Sequence, residues 1–289
     1  MKNGYIYAIA AAVLFGSSGM FVKLAQGTGL DSISLLTVQY MLAVTIMFAY
    51  AFIRNRKILV VGRKSLINLA LMGVIGSTGM TLCYYTAFEY LPVAVVTMLL
   101  YTYPVLVFIY TCIFEKGSMN VQKTAAIVMA FTGCILALNF FGGSYSYPAF
   151  GIVLGLMSAV FYAFINIFSE KKLEKVDSLA INAYSTLFSL ITLCLYRFPS
   201  YFFRGEVNPA SMIYIVLLAI FCEILPLTML YASLKLIGAL KVSVISNLEI
   251  PTAFVMAYLF LNEKISVSQL FGSALIVCAI ILIRNGERA

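Results

Sequence analysis

Long apolar runs separated by short polar breaks dominate this amino-acid sequence, and no other feature restricts the possible folds as strongly. A helix needs about 18 or more consecutive apolar residues to cross roughly 30 Å of hydrocarbon. Ten runs meet that requirement: 5–24, 33–53, 66–88, 93–114, 124–141, 149–169, 179–198, 211–234, 239–261 and 267–283. They cover 209 of the 289 residues, and the 80 that remain supply ends and connections too short to house a soluble domain. Composition agrees, with 63% hydrophobic residues, 10% charged residues and a mean hydropathy of +1.01. A soluble domain carries about 25% charged residues, so the solvent for most of this chain is lipid. Backbone polar groups in lipid are paired within their own segment, and runs of this length therefore predict an all-α integral membrane protein of ten transmembrane helices.

The breaks carry turn and cap signals. Gly27-Thr28-Gly29, Gly142-Gly143 and Asn208-Pro209 punctuate the runs, and Asp31-Ser32 and Asp177-Ser178 stand where a short acceptor side chain caps a following helix. With the N-terminus on the cytoplasmic side, 15 of the 19 Lys and Arg residues fall in cytoplasmic segments. Lys and Arg are retained on that side of membranes, so the expectation is a multi-pass protein of the cell inner (plasma) membrane with both termini cytoplasmic. The net charge of +8 follows from this topology and gives no evidence for nucleic acid. Apolar residues continue past Ala12 through a full spanning length, so the first run reads as a retained span and not as a cleavable signal. The six cysteines all lie inside runs, without a C-x-x-C pair, and read as inert thiols. The chain has no His and no Trp, which removes imidazole bases and His metal ligands. No metal or cofactor is expected, and carboxylates or tyrosines have to carry any protonation chemistry.

The two halves of the sequence repeat one another. Tyr85 to Val93 aligns with Tyr231 to Ala239 at an offset of 146, Pro104 with Pro251 at 147, and Glu115-Lys116 with Glu263-Lys264 at 148. Phe15-Gly16 meets Tyr162-Ala163 at 147, and Asp31-Ser32 meets Asp177-Ser178 at 146. Common order and offset point to duplication, with units 1–145 and 146–289 of five spans each. An odd number of spans makes the second unit run through the membrane in the opposite sense. Inverted repeats underlie alternating access around a midplane site. Pro104 and Pro251 lie near the middle of the fourth and ninth runs, where each kinks its helix and frees a carbonyl, for a cavity lining or for packing alone.

The pattern resembles the EamA family of the drug/metabolite transporter superfamily across nearly the whole chain. The residues that carry the resemblance are Leu14-Phe-Gly-Ser-Ser18 followed by Lys23, Tyr85-x-Ala87, the spacing from Pro104 to Glu115, and the second-half copies Tyr162-Ala163, Tyr231-Ala232 and Pro251 to Glu263. Where the family commonly has Trp-Gly this chain has Phe15-Gly16. The resemblance implies a 5+5 inverted repeat, a cavity lined by spans one, three, four, six, eight and nine, and transport of small polar metabolites.

Two acids stand at membrane depth: Glu223 midway along the eighth run and Glu249 midway along the ninth. Such residues usually face the protein interior or water and mark ion or proton pathways. Burial disfavours the charged carboxylate and a cationic substrate favours it again, which is the simplest route to a proton and a substrate competing for one group. The competing reading is a protonated acid bonded to a nearby carbonyl, and for Glu249 a role at the kinked backbone beside Pro251. Ser77, Thr81, Tyr84, Tyr85 and Phe88 follow one helical face of span three, while Thr97 and Tyr101 stand one turn apart in span four, with Tyr103 on a different side. Phe15, Tyr162, Asn166, Tyr231 and Asn247 complete the prospective lining, although many tyrosines in membrane proteins serve as interfacial or packing residues. An aromatic lining with carboxylates suits an ammonium group. The leading expectation is a secondary transporter of small amine-bearing metabolites, a quaternary amine or an amino acid, coupled to protons through Glu223 and Glu249. The alternative is an exporter of neutral or aromatic metabolites in which Glu223 holds structure. An enzyme is disfavoured by the lack of metal-ligand spacing and of nucleophile or nucleotide motifs. Expected partners are the substrate and membrane lipid, and Gly133 and Gly272 keep a homodimer open through close helix contact.

Overall fold

The computed structural model describes residues 2–25, 32–115, 120–138, 148–199, 209–261 and 265–285. Every regular element among them is helical. In chain order these are α1 (Lys2–Ala25), α2 (Ser32–Arg54), a 3-10 turn (Arg56–Leu59), α3 (Arg63–Leu71), a π turn (Met72–Ser77), α4 (Thr78–Ala87), α5 (Val93–Leu100), α6 (Tyr103–Phe114) and α7 (Val121–Ala137). They continue with α8 (Ala149–Lys172), α9 (Ser178–Tyr196), α10 (Pro209–Leu218), a second π turn (Ala219–Ile224), α11 (Leu225–Ile237), α12 (Ala239–Ser246), α13 (Glu249–Leu261) and α14 (Val267–Asn285). Among the described residues, eight helical stretches are long and apolar enough to cross a membrane, α3–α4, α5–α6, α10–α11 and α12–α13 each forming one. The protein is therefore a multi-pass membrane protein. Helix α7 is also apolar but shorter, at 17 residues, and the end of the run expected over 124–141 lies outside the described residues.

Local chemistry explains the boundaries. Asp177 caps α9 by accepting Leu179 N–H at 2.8 Å, and Asn120 caps α7 by accepting Lys123 N–H at 2.9 Å. The cap expected at Asp31, the turns at Gly27–Gly29 and Gly142-Gly143, Asn208, Lys116 and Glu263-Lys264 lie outside the described residues. Two membrane-length helices are broken inside. One breaks at Tyr101-Thr102, just before Pro104, and the other at Asn247-Leu248, just before Pro251. Proline lacks an N–H, and its ring collides with the carbonyl four residues back. Those carbonyls belong to Leu100 and Asn247, where the helical ladder gives way. The two π turns also loosen the ladder, and Thr78 Oγ1 donates to the Gly73 carbonyl of the first at 3.0 Å.

Packing reverses the polarity of a soluble protein. Ile53 is 85% exposed and Leu195 83%, whereas Asn166, Asn182, Ser185 and Ser243 are buried. Helix α1 packs on α10, α11, α12 and α13, and α8 packs on α4, α5 and α6. The second π turn rests on α2, the first rests on α9, and α2 also touches α9. The most extensive helix pair is α7 with α14. A Cβ on Gly272 would fall 2.4 Å from Ala137 N, and one on Gly133 would fall 2.8 Å from the Gly272 carbonyl oxygen. These glycines, considered above for contact between copies, make their close approach within one chain.

One end of the bundle is tied by polar contacts. The Arg284 guanidinium stands 6.0 Å from the Tyr5 ring centroid, and Ser233 Oγ donates to the Gly4 carbonyl at 2.8 Å. Tyr184 OH donates to the Leu59 carbonyl at 2.9 Å. Lys171 pairs with Glu115 and with Glu170, and Glu170 Oε2 accepts Ala239 N–H at 2.9 Å. Ala239 follows Gly238, whose φ of +81° suits a residue without Cβ.

Candidate functional site

Glu223 is placed by the second π turn, a local widening that often marks functional positions. It is 5% exposed. Thr186 Oγ1 of α9 lies 3.2 Å from Glu223 Oε1 and 3.1 Å from Asn182 Oδ1. Asn182 Nδ2 donates to the carbonyls of Glu223 at 3.3 Å and Ile224 at 3.2 Å, and reaches Thr228 Oγ1 at 3.1 Å. Helix α9 thus braces the end of the π turn through the Asn182 amide. Tyr40 of α2, Tyr85 of α4 and Tyr231 of α11 stand close enough to Glu223 to feel its charge.

Glu249 opens α13 immediately after the break at Asn247-Leu248. It is half-buried, and the Tyr101 hydroxyl stands beside it. Tyr84, Tyr103 and Tyr162 stand within its field, and Cys222, the residue before Glu223, lies in the field of both acids. The ring centroids of Tyr103 and Tyr162 are 4.5 Å apart. Tyr84 OH and Thr97 Oγ1 are 3.1 Å apart, and Phe88 packs on Tyr84 and Tyr85 with centroids 4.7 and 5.7 Å away. Helix α1 closes one side: a Cβ on Gly16 would fall 2.6 Å from the Glu249 carbonyl oxygen.

Nine of the residues singled out by sequence, Glu223, Glu249, Tyr84, Tyr85, Tyr101, Tyr162, Tyr231, Thr81 and Thr97, meet in this buried cluster. Phe15 packs against the main core, and Ser77 is half-buried at the end of the first π turn. Asn166 and Asn247 are fully buried, and the side-chain carbonyl oxygen of each has no hydrogen-bond partner among the described residues. Pro104 is the second residue of α6 and Pro251 the third of α13.

Three features depart from the sequence reading. Tyr103, placed by helical spacing on a different side from Tyr101, joins the same cluster because the break at Tyr101-Thr102 turns the chain between them. Tyr40 reaches the neighbourhood of Glu223 from α2, with Thr81 beside it. Asn182 and Thr186 reach them from α9, so spans two and seven contribute to a site assigned to six other spans. The available signal was the series Asn182, Ser185, Thr186 and Ser189, all buried polar residues on neighbouring turns of an otherwise apolar run. A separate groove of about 440 Å³ lies between α6 and α8, lined by Leu106, Tyr110, Val160, Phe164, Ile167 and Lys172. Its lining contains neither acid.

Comparison with known proteins gives these helices a context. The model of the EamA-like transporter family matches residues 2–139 and 149–285. An uncharacterized inner membrane transporter of Salmonella typhimurium, YicL, is 22% identical over 99% of this chain and 97% of its own length. Solute carrier family 35 member G1 of Homo sapiens is 30% identical over 60% of this chain and 49% of its own length. A solved crystal structure superposes with a TM-score of 0.78 at 16% identity, covering 100% of this chain and 98% of that one, which establishes likeness of fold. With both halves of the chain matched and the helices laid out as described, the protein belongs to the EamA-like transporter family.

Proposed function

We propose that the protein is a secondary active transporter of small amine-bearing metabolites, a quaternary amine or an amino acid, working by alternating access with proton coupling through Glu223. The observation that carries this reading is the enclosure of Glu223 and Glu249 by tyrosines drawn from both halves of the chain. Acids at bilayer depth are costly unless used or paired, and tyrosine faces with a carboxylate attract ammonium groups.

Alternating access here rests on units 1–145 and 146–289 as inverted five-helix repeats, with α1 and α7 completing ten spans. Several observations support that division. The π turns Met72–Ser77 and Ala219–Ile224 are 147 residues apart, and the helix breaks at Tyr101 and Asn247 are 146 apart. Packing is reciprocal: α1 rests on α11 and α13, while α8, its counterpart, rests on α4 and α6. The second π turn rests on α2 and the first on α9. Exchange between two inverted halves produces this pattern, and the family match on two separate segments agrees with it. The polar ties that gather Gly4, Leu59, Glu115, Glu170 and Arg284 at one end agree with both termini facing the cytoplasm. The name of the Salmonella relative agrees with an inner (plasma) membrane location.

Thr186 gives Glu223 a means of sensing its own proton. An ionised carboxylate only accepts, so the Thr186 hydroxyl donates its hydrogen bond to it; a protonated one donates to Thr186 Oγ1, which frees the hydroxyl hydrogen for Asn182 Oδ1. The test is uptake of amines into proteoliposomes with and without an inward proton gradient. Wild type is expected to respond to the gradient, and Glu223→Gln is expected to lose the response. Unchanged proton dependence in that variant would refute the coupling role.

A second reading is an exporter of neutral or aromatic metabolites in which Glu223 holds structure. The bracing of its π turn by Asn182 and Thr186 favours it. In that case wild type and Glu223→Gln transport neutral aromatic compounds alike at every pH.

A further inference from the structure

We infer that Glu249, with the side-chain carbonyl oxygens of Asn247 and Asn166, is the seat of a primary ammonium group of the substrate. This rests on the amine-transport reading above and narrows it from amines in general to those carrying N–H donors. The argument starts from hydrogen bonds left unmade. Asn247 is 1% exposed and Asn166 0%, yet the Oδ1 atom of each has no partner. Buried polar atoms are nearly always paired, and among the described residues the unpaired ones are these two oxygens and Ser169 Oγ, one turn past Asn166 on α8, so the two acceptors are open to a ligand's donors.

The fold places that deficit at the aromatic cluster. Asn247 occupies the helix break two residues before Glu249. Asn166 lies one turn beyond Tyr162 and donates its Nδ2 to the Tyr162 carbonyl at 2.8 Å, and Tyr162 stands within the field of Glu249. Helix α8, which carries Asn166, packs on α12, which ends at the break. Glu249 itself is under-used: an ionised carboxylate offers about four acceptor positions, and only the nearby Tyr101 hydroxyl is placed to fill one among the described residues. Glu223 is more deeply buried, and its side chain is held by Thr186 of α9.

A primary ammonium presents three N–H donors and one positive charge. It satisfies the acceptors and the carboxylate together, in the aromatic surroundings that Tyr103 and Tyr162 give Glu249. A quaternary ammonium brings the charge but no donor, and would leave both asparagine oxygens unpaired.

The test is ligand binding to the purified full-length protein in detergent, followed by thermal unfolding and calorimetry. The probes are phenylethylamine, its N,N,N-trimethylated counterpart and phenylethanol. Wild type is expected to bind the primary amine at least tenfold more tightly than the trimethylated compound. Glu249→Gln is expected to weaken amine binding a hundredfold or more, Glu249→Asp to restore part of it, and Asn247→Ala to weaken it about tenfold. Glu223→Gln is expected to weaken it less than Glu249→Gln does. The unfolding midpoint of each variant without ligand reports whether it is folded. Equal binding of the two amines, or full binding by folded Glu249→Gln, overturns the assignment of this seat while leaving amine transport standing. Binding of phenylethanol with indifference to both amines overturns the amine reading itself.

Discussion

Asn182 shows how one side chain determines whether a loosened helix is tolerable in lipid. Its amide donates to the carbonyls of Glu223 and Ile224, where the π turn passes into α11, and it is itself fully buried. Removing a buried side chain that makes hydrogen bonds of this kind costs about 1–3 kcal/mol. Asn182→Ala is therefore expected to lower unfolding stability by about 1–3 kcal/mol, read as a fall in the thermal midpoint in detergent. A loss well below that range would mean that the π turn re-forms as an ordinary helical turn. The buried polar series on α9 was visible in the sequence, but its target was not, because Asn182 and Glu223 are 41 residues apart in the chain.

Helix pairs obey the same logic of close approach. Helices α7 and α14 meet where Gly133 and Gly272 remove the side chains that would hold them apart, and the space on either side is backbone. Backbone cannot yield as a flexible side chain can, and overpacking a tight interface costs about 1–3 kcal/mol. Gly272→Ala is expected to reduce stability by about that amount, measured by thermal unfolding, whereas Gly62→Ala, whose Cβ would meet nothing within 4 Å, serves as the unperturbed comparison. The broken helices α5–α6 and α12–α13 were legible from Pro104 and Pro251, since proline chemistry is local. The consequence for Tyr103 was not, because helical spacing assumes that the helix continues through the break.

Across the membrane, the tie between Glu115 of the first half and Lys171 of the second joins the halves at the end that also carries Gly4 and Arg284. An isolated partly exposed ion pair contributes about 0–1 kcal/mol, so its weight lies in which ends it brings together. Once the six native cysteines are replaced, single cysteines at Arg56 and Lys172 are expected to react with a membrane-impermeant thiol reagent only from the cytoplasmic side. Labelling of either from outside the cell would reverse the proposed orientation.

Apolar run length, positive charge placement and the repeat offset were readable from the chain alone, because each depends on residues near one another in sequence or on a count along it. The lipid-crossing helices, the paired prolines and the two acids at membrane depth follow from those local rules. The partners of the acids do not. Tyr40 from α2, Thr186 and Asn182 from α9 and Tyr103 beyond a helix break converge on Glu223 and Glu249 only once separate helices pack against each other. Periodicity states which face of a helix a residue occupies. Which neighbouring helix that face meets is set by close packing across the bundle, and the two unpaired asparagine oxygens emerge only after all such contacts have been made.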